Sequence, residues 1–130
     1  MTRKAIQTPD APRAIGPYSQ GIALDGWVFT SGQLGLDPRA GEIVRGGAGA
    51  EMEQALRNLA AVLEAEGSSL AHVVKTTVFL ADLGDYATVN EVYARHFSAP
   101  FPARSAVQVA RLPKDARVEV EAIARRNGAG

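Results

Sequence analysis

The order of strand-like and helix-like stretches predicts an α+β fold: a mixed β-sheet with two helices packed on one face, in the order ββ(β)αβαββ. Three observations carry this. Short runs near both ends alternate apolar and polar residues with a period of two, as strands do. A strongly amphipathic stretch over about 50–66 repeats with the period of a helix. A second helical stretch, between Asp85 and Pro100, is separated from the first by a run rich in Val and Thr. With 130 residues, 46% hydrophobic and 22% charged, the chain can bury one core without staples, and it reads as a single domain over 1–130.

Taken in order, residues 1–13 contain Pro9 and Pro12 and read as a frayed arm. Gly16-Pro17 biases the chain away from helix, so Tyr18 sits just before a strand, where its ring reads as an aromatic lid on a core. Ile22 and Leu24, then Asp25-Gly26, then Val28 and Thr30 predict a hairpin closed by a two-residue type I′ turn. That strand ends at Ser31-Gly32, where glycine permits close approach of a neighbour or ligand. Residues 36–42 form a loop. Gly46-Gly47-Ala48-Gly49 lacks the GxxxxGK[ST] pattern of a phosphate cradle and reads as the lead into a helix. In that helix, about Ala50 to Glu66, Met52, Ala55, Leu56, Leu59, Val62 and Leu63 fall on one face, and Gly67 occupies the left-handed C-cap position. His72 to Leu80 returns to strand. Asp85 is placed to cap a second helix through Tyr86, Val89, Tyr93 and Phe97, which Pro100 and Pro102 terminate.

Pro102 to Ala124 predicts a second hairpin. Ser105, Val107 and Val109 alternate with Arg104, Ala106, Gln108 and Ala110. Leu112-Pro113-Lys114-Asp115 turns the chain, and Val118, Val120, Ala122 and Ala124 then alternate with Glu119, Glu121 and Ile123. One face would be aliphatic. The other would carry Arg104, Gln108, Glu119 and Glu121, and an ordinary solvated face by itself accounts for such charges. Arg104 stands out because small residues flank it and its guanidinium offers a planar fork for a carboxylate. The competing reading is an ion pair with Glu119 or Glu121. If Ala110 faces Arg117, Gln108 faces Glu119 and Arg104 lies on the order of 13 Å further on, so its anion would belong to a ligand or another subunit.

Several function classes find no support. Lys and Arg number 14 against 14 Asp and Glu, which gives no basic excess for nucleic acid or a membrane surface. Without cysteine there is no thiolate metal site, disulfide or thiol catalysis, and His72 and His96 have no ligand-spaced partner, so no metal site is expected. No segment has the length and apolarity of a membrane span, and a cytoplasmic protein is the expectation.

Four separated blocks resemble the RidA (YjgF) family of imine deaminases: Ile15-Gly16-Pro17-Tyr18-Ser19-Gln20-Gly21 with Thr30-Ser31-Gly32-Gln33, the stretch from Val74 to Leu80 with Asp82, Leu83 and Asp85, the pair Val89-Asn90, and Pro102 to Ala124. The resemblance runs from about Ala11 to Ala124. It implies a chorismate-mutase-like fold and a homotrimer with sites at subunit interfaces. It also implies hydrolysis of small 2-imino acids to 2-keto acids and ammonia, without metal or organic cofactor. Carried over residue by residue, Arg104 binds the substrate carboxylate, Glu119 positions or activates the attacking water and Tyr18 lines the pocket. Ser31 and Gly32 border it, Ala106 contributes through its backbone, and Asn90 lies at the rim. Two positions depart from the usual pattern: Ala106 replaces a frequent cysteine, and Gln108 a frequent glutamate. A non-catalytic trimer sensing 2-keto acids would share the Arg104 anchor. An endoribonuclease would want a basic stripe that is missing here, and the sequence is silent on a holdase chaperone.

Overall fold

The computed structural model describes residues 2–127. Seven strands and two helices follow the order β1 Lys4–Ile6, β2 Gly21–Leu24, β3 Trp27–Thr30, β4 Gln33–Leu34, α1 Gly47–Glu64, β5 Val73–Leu80, α2 Tyr86–His96, β6 Ala103–Gln108 and β7 Val118–Arg125. The strands form one mixed sheet in the order β1-β2-β3-β7-β5-β6, with β4 also paired to β7. Among the described residues no helix is long and apolar enough to cross a membrane.

Both helices cover one face. Met52, Leu56, Leu59 and Leu63 of α1 are fully buried, against Val118, Val120, Ala122 and Ala124 of β7 and Val28 of β3. Each such leucine stabilises the fold by about 1.5–3 kcal/mol through burial, and Leu59→Ala would cost about 2–5 kcal/mol once the cavity is counted. Gly67, with φ at +75°, ends the helical turn where the sequence places it. The Asp25-Gly26 hairpin also forms as expected, with φ at 53° and 79° and Leu24 paired to Trp27. Its core face is Gly21, Ala23 and Val28 rather than Ile22 and Leu24, one residue out of step with the apolar reading.

Three further expectations need correction. The first segment is not all arm, because β1 pairs with β2. Buried Gln20 clamps the chain that follows: its Oε1 accepts from the Thr8 amide at 2.7 Å, and its Nε2 donates to the carbonyls of Thr8, Ala11 and Pro12. Asp85 precedes α2 without a side-chain cap; Asp82 instead accepts from the Gly84 amide at 2.7 Å, on the short turn leading into the helix.

The largest correction concerns the C-terminal third, which is not a hairpin. β6 runs parallel to β5, β7 runs antiparallel to β5, and β5 lies between them. A parallel pair needs a crossover, which α2 supplies. Faces are reassigned with partners. Arg104 pairs with Thr76, fully buried on the helix side, so Arg104, Ala106 and Gln108 point toward the helices. Glu119 and Glu121 pair with Phe79 and Thr77 and point the other way.

Candidate active site

Arg104 extends from an edge strand over the start of α2, and three residues of that helix hold it. Its Nη1 donates to Asn90 Oδ1 at 2.7 Å and its Nη2 to the Tyr86 hydroxyl at 2.8 Å. Its guanidinium carbon lies 4.8 Å from the centroid of the Tyr93 ring. The Tyr93 ring is itself fixed, sharing a hydrogen bond of 2.8 Å with buried Thr76 and lying 4.4 Å from Phe97. Burial pushes the Tyr93 hydroxyl above its ordinary pKa. Asn90 and the Arg104 guanidinium hold the Tyr86 hydroxyl below its own. No carboxylate among the described residues pairs with Arg104, so the ion pair with Glu119 or Glu121 is not formed. The guanidinium keeps donors for a ligand, since two hydrogen bonds occupy only part of its five N–H groups.

Glu119 occupies a contrasting place. β3 and β4 both pair with β7, but the chain leaves the ladder between them, and Thr30 Oγ1 accepts the Ala122 amide there at 3.0 Å. Ser31 and Gly32 form the step. The Ser31 hydroxyl donates to the Ser19 carbonyl. Gly32 lies so close to Glu119 that a Cβ built on it would be 2.6 Å from Glu119 Oε2. Any side chain here would push this carboxylate out of its place. Half-buried and with Glu121 nearby, Glu119 has its carboxyl pushed above the ordinary range, chiefly by desolvation. Among the described residues nothing donates a hydrogen bond to it. Tyr18, Ser31, Gly32, Glu119, Glu121 and Lys114 line one open groove of about 1730 Å³. That exceeds the roughly 300–1,000 Å³ of a closed small-molecule site, so the groove is a wall rather than a complete pocket.

The sequence-predicted residues therefore divide into two sets. Tyr18, Ser31, Gly32 and Glu119 share the groove; Arg104, Asn90 and Ala106 do not line it. Arg104 and Glu119 are two strand spacings and three residues apart, roughly 14 Å between Cα positions, and point to opposite faces. Ala106 lies beside Arg104 on the helix side. The Val109 amide bonds to the Leu80 carbonyl, so the strand's alternation turns the backbone groups of Ala106 to the unpaired edge. Gln108 faces no pocket: its Oε1 accepts from the Leu83 amide at 2.8 Å and ties β6 to the turn before α2.

A protein-family model described as Endoribonuclease L-PSP matches residues 8–126. The chain belongs to this family, the RidA (YjgF) family. It is 51% identical over 124 residues to the human 2-iminobutanoate/2-iminopropanoate deaminase, covering 95% of this chain and 90% of the human one. A crystal structure of E. coli TdcF with bound serine superposes with a TM-score of 0.89 at 47% identity, covering 95% of this chain and 99% of that one. RidA from the Antarctic bacterium Psychrobacter sp. PAMC 21119 superposes at 0.90 with 49% identity, covering 94% and 98%.

In this RidA-family chain, sequence reasoning passed over Tyr86 and Tyr93, which hold the arginine, Thr76, which fixes the Tyr93 hydroxyl, and Gln20, which fixes the arm along the groove. Spacing offered a signal for two of them. Tyr86, Asn90 and Tyr93 are related by four and three residues and so share one helix face.

Proposed function

We propose that this protein hydrolyses reactive 2-imino acids, 2-iminobutanoate and 2-iminopropanoate among them, to the 2-keto acid and ammonia. Human, bovine and mouse relatives at 51–54% identity over 95% of the chain are 2-iminobutanoate/2-iminopropanoate deaminases. The observation that carries the reading at the level of chemistry is the state of Arg104: a fixed, permanently charged fork with free donors and no carboxylate partner among the described residues.

The iminium carbon is already electrophilic, so the reaction needs an aimed water and a proton relay rather than an electron sink. Arg104 binds the substrate carboxylate. Glu119 takes a proton from water as its oxygen bonds to C2 and the C=N π electrons return to nitrogen. Protonated Glu119 then gives that proton to the nitrogen of the carbinolamine. Ammonia leaves with the C–N electron pair as Glu119, ionised again, accepts the hydroxyl proton and C=O forms. Tyr18, Ser31 and Gly32 wall the water side, while Asn90 and the backbone of Ala106 border the arginine side.

In one chain these halves lie on opposite faces of the sheet, so the proposal requires a second copy. A closed homotrimer, with each site built from Arg104 of one protomer and Glu119 of its neighbour, joins them. The unpaired outer edge of β6 and the half-exposed Phe29 and Val107 favour such burial. The proposal includes a cytoplasmic location. The family model's description names an endoribonuclease, but 14 basic against 14 acidic residues give RNA no net attraction.

One coupled assay tests the activity. A dehydratase generates the imine from threonine or serine, and keto-acid release is followed with and without this protein. Acceleration supports the deaminase; an unchanged imine lifetime, with saturable keto-acid binding, would make it a binder. Sedimentation equilibrium at micromolar concentration should return three times the chain mass, and a monomer would sink the shared site.

A further inference from the structure

We propose that the Tyr86 hydroxyl is a positioning group for Arg104, setting the plane in which the guanidinium meets the substrate carboxylate. This rests on the assignment of Arg104 as the carboxylate anchor. An arginine on an edge strand has neighbours on one side only, so its long side chain would otherwise sample many rotamers. Here the ring of Tyr93 lies on one side of the guanidinium, while Asn90 and Tyr86 each hold one nitrogen at 2.7 and 2.8 Å. A ring contact alone leaves the plane free to rotate over the aromatic face; two hydrogen bonds to different nitrogens fix it.

Tyr86 is the member of this set whose packing role is smallest. It is 40% exposed and stands at the first position of α2, outside the hydrophobic core. Its ring lies 5.6 Å from the guanidinium, a looser contact than that of Tyr93, so the hydroxyl is the stronger link. Asn90 follows one helical turn later, which places both oxygens on the same side of Arg104. The Gln108 bond to the Leu83 amide anchors the turn before the helix, tying the strand that carries Arg104 to the element that carries Tyr86.

A positioning role also makes a pH signature. The Tyr86 hydroxyl sits below the ordinary tyrosine range because Asn90 and Arg104 stabilise its ionised form. Once ionised, it competes with the substrate carboxylate for the same guanidinium. The other titratable groups around it are Tyr93 on α2 and Asp82 and Asp85 in the preceding turn. The helix-side residues of β5, including Thr76 and Val78, are neutral, as are Ala106 and Gln108 on β6. Glu53 of α1 pairs with His96 at the far end of α2.

The test is Tyr86→Phe, which removes the hydroxyl and keeps the ring. Calorimetric Kd for 2-oxobutanoate and steady-state constants for 2-iminobutanoate are measured from pH 7 to 10, with thermal melting as a fold check. Kd and KM should each rise about five- to tenfold at pH 7 with kcat within about twofold, the pattern of lost uniform binding. The alkaline loss of keto-acid affinity in the unmodified protein should flatten in the variant. Kd and KM within twofold of the unmodified protein overturn the inference, as does a fall in kcat at constant KM. If the unmodified protein binds 2-oxobutanoate without accelerating imine hydrolysis, the deaminase reading fails and Kd alone judges Tyr86. No keto-acid binding at all removes the arginine anchor and this inference together.

Discussion

Arg104 and Glu119 are both charged side chains on strands of one sheet, yet their surroundings are opposites. Arg104 faces the helices, where α2 supplies two hydrogen bonds and an aromatic ring to it. Glu119 faces away from them, against a glycine and near a second carboxylate, with no donor from the described residues. A binding group profits from being held in one charged state and one orientation. A group that must accept and return a proton profits from a destabilised charge, which brings its pKa closer to the working pH. The difference is the one the proposed chemistry needs: a cation held in place on one face of the sheet and a carboxylate with a destabilised charge on the other.

Variants can break this comparison from either side. The largest effect is expected at Glu119: Glu119→Gln should lower kcat by about 10²–10⁴-fold, the range of general acid–base catalysis. Stability should move the opposite way. A carboxyl whose folded-state pKa is raised contributes stability below its unfolded pKa and loses it as pH rises through the folded value. At neutral pH the charged form is therefore a net cost, and Glu119→Gln should raise Tm by a few degrees. In the unmodified protein, kcat should fall on acidification with a midpoint above the ordinary glutamate range, as Glu119 takes up its proton. A lower Tm in the variant, or a pH-independent kcat, would contradict the destabilised-charge description.

Arg104→Ala comes next. Loss of a charge-assisted two-pronged contact should reduce kcat/KM by on the order of a hundredfold. Arg104→Lys should restore little, because an ammonium cannot reproduce the fork. Melting should change only slightly, since Asn90 and Tyr86 are solvent-accessible once released. Retained activity with loss of the oligomer would recast Arg104 as an assembly residue.

Gly32→Ala sharpens the comparison with the smallest change. The new methyl would sit 2.6 Å from Glu119 Oε2, but a flexible side chain can swing away at modest cost. Activity should drop about tenfold while Tm stays within a few degrees. By contrast, a Cβ at Gly35 would meet the backbone of Glu51 at 2.6 Å, which cannot swing, so Gly35→Ala should lower Tm markedly. Equal losses of stability in the two variants would show that Gly32 serves packing rather than the carboxylate.

Some of this was written in the residues alone. The stripe from Met52 to Leu63 pointed to a buried helix face, because its period admits one inward side and its residues are all apolar. Asp25-Gly26 determined a hairpin turn, since both positions need positive φ. Val118, Val120, Ala122 and Ala124 likewise determined the inward face of β7. What the sequence left open was decided by tertiary pairing. A period of two assigns a strand two faces but does not say which is inward, and β6, with its small residues and its arginine, offers no strong apolar side to break the tie. Its proximity in sequence to β7 suggested a hairpin, because a local pattern carries no record of a strand inserted between two neighbours. β5 takes that place, and its pairing turns Arg104 toward α2 and leaves Glu119 on the far face.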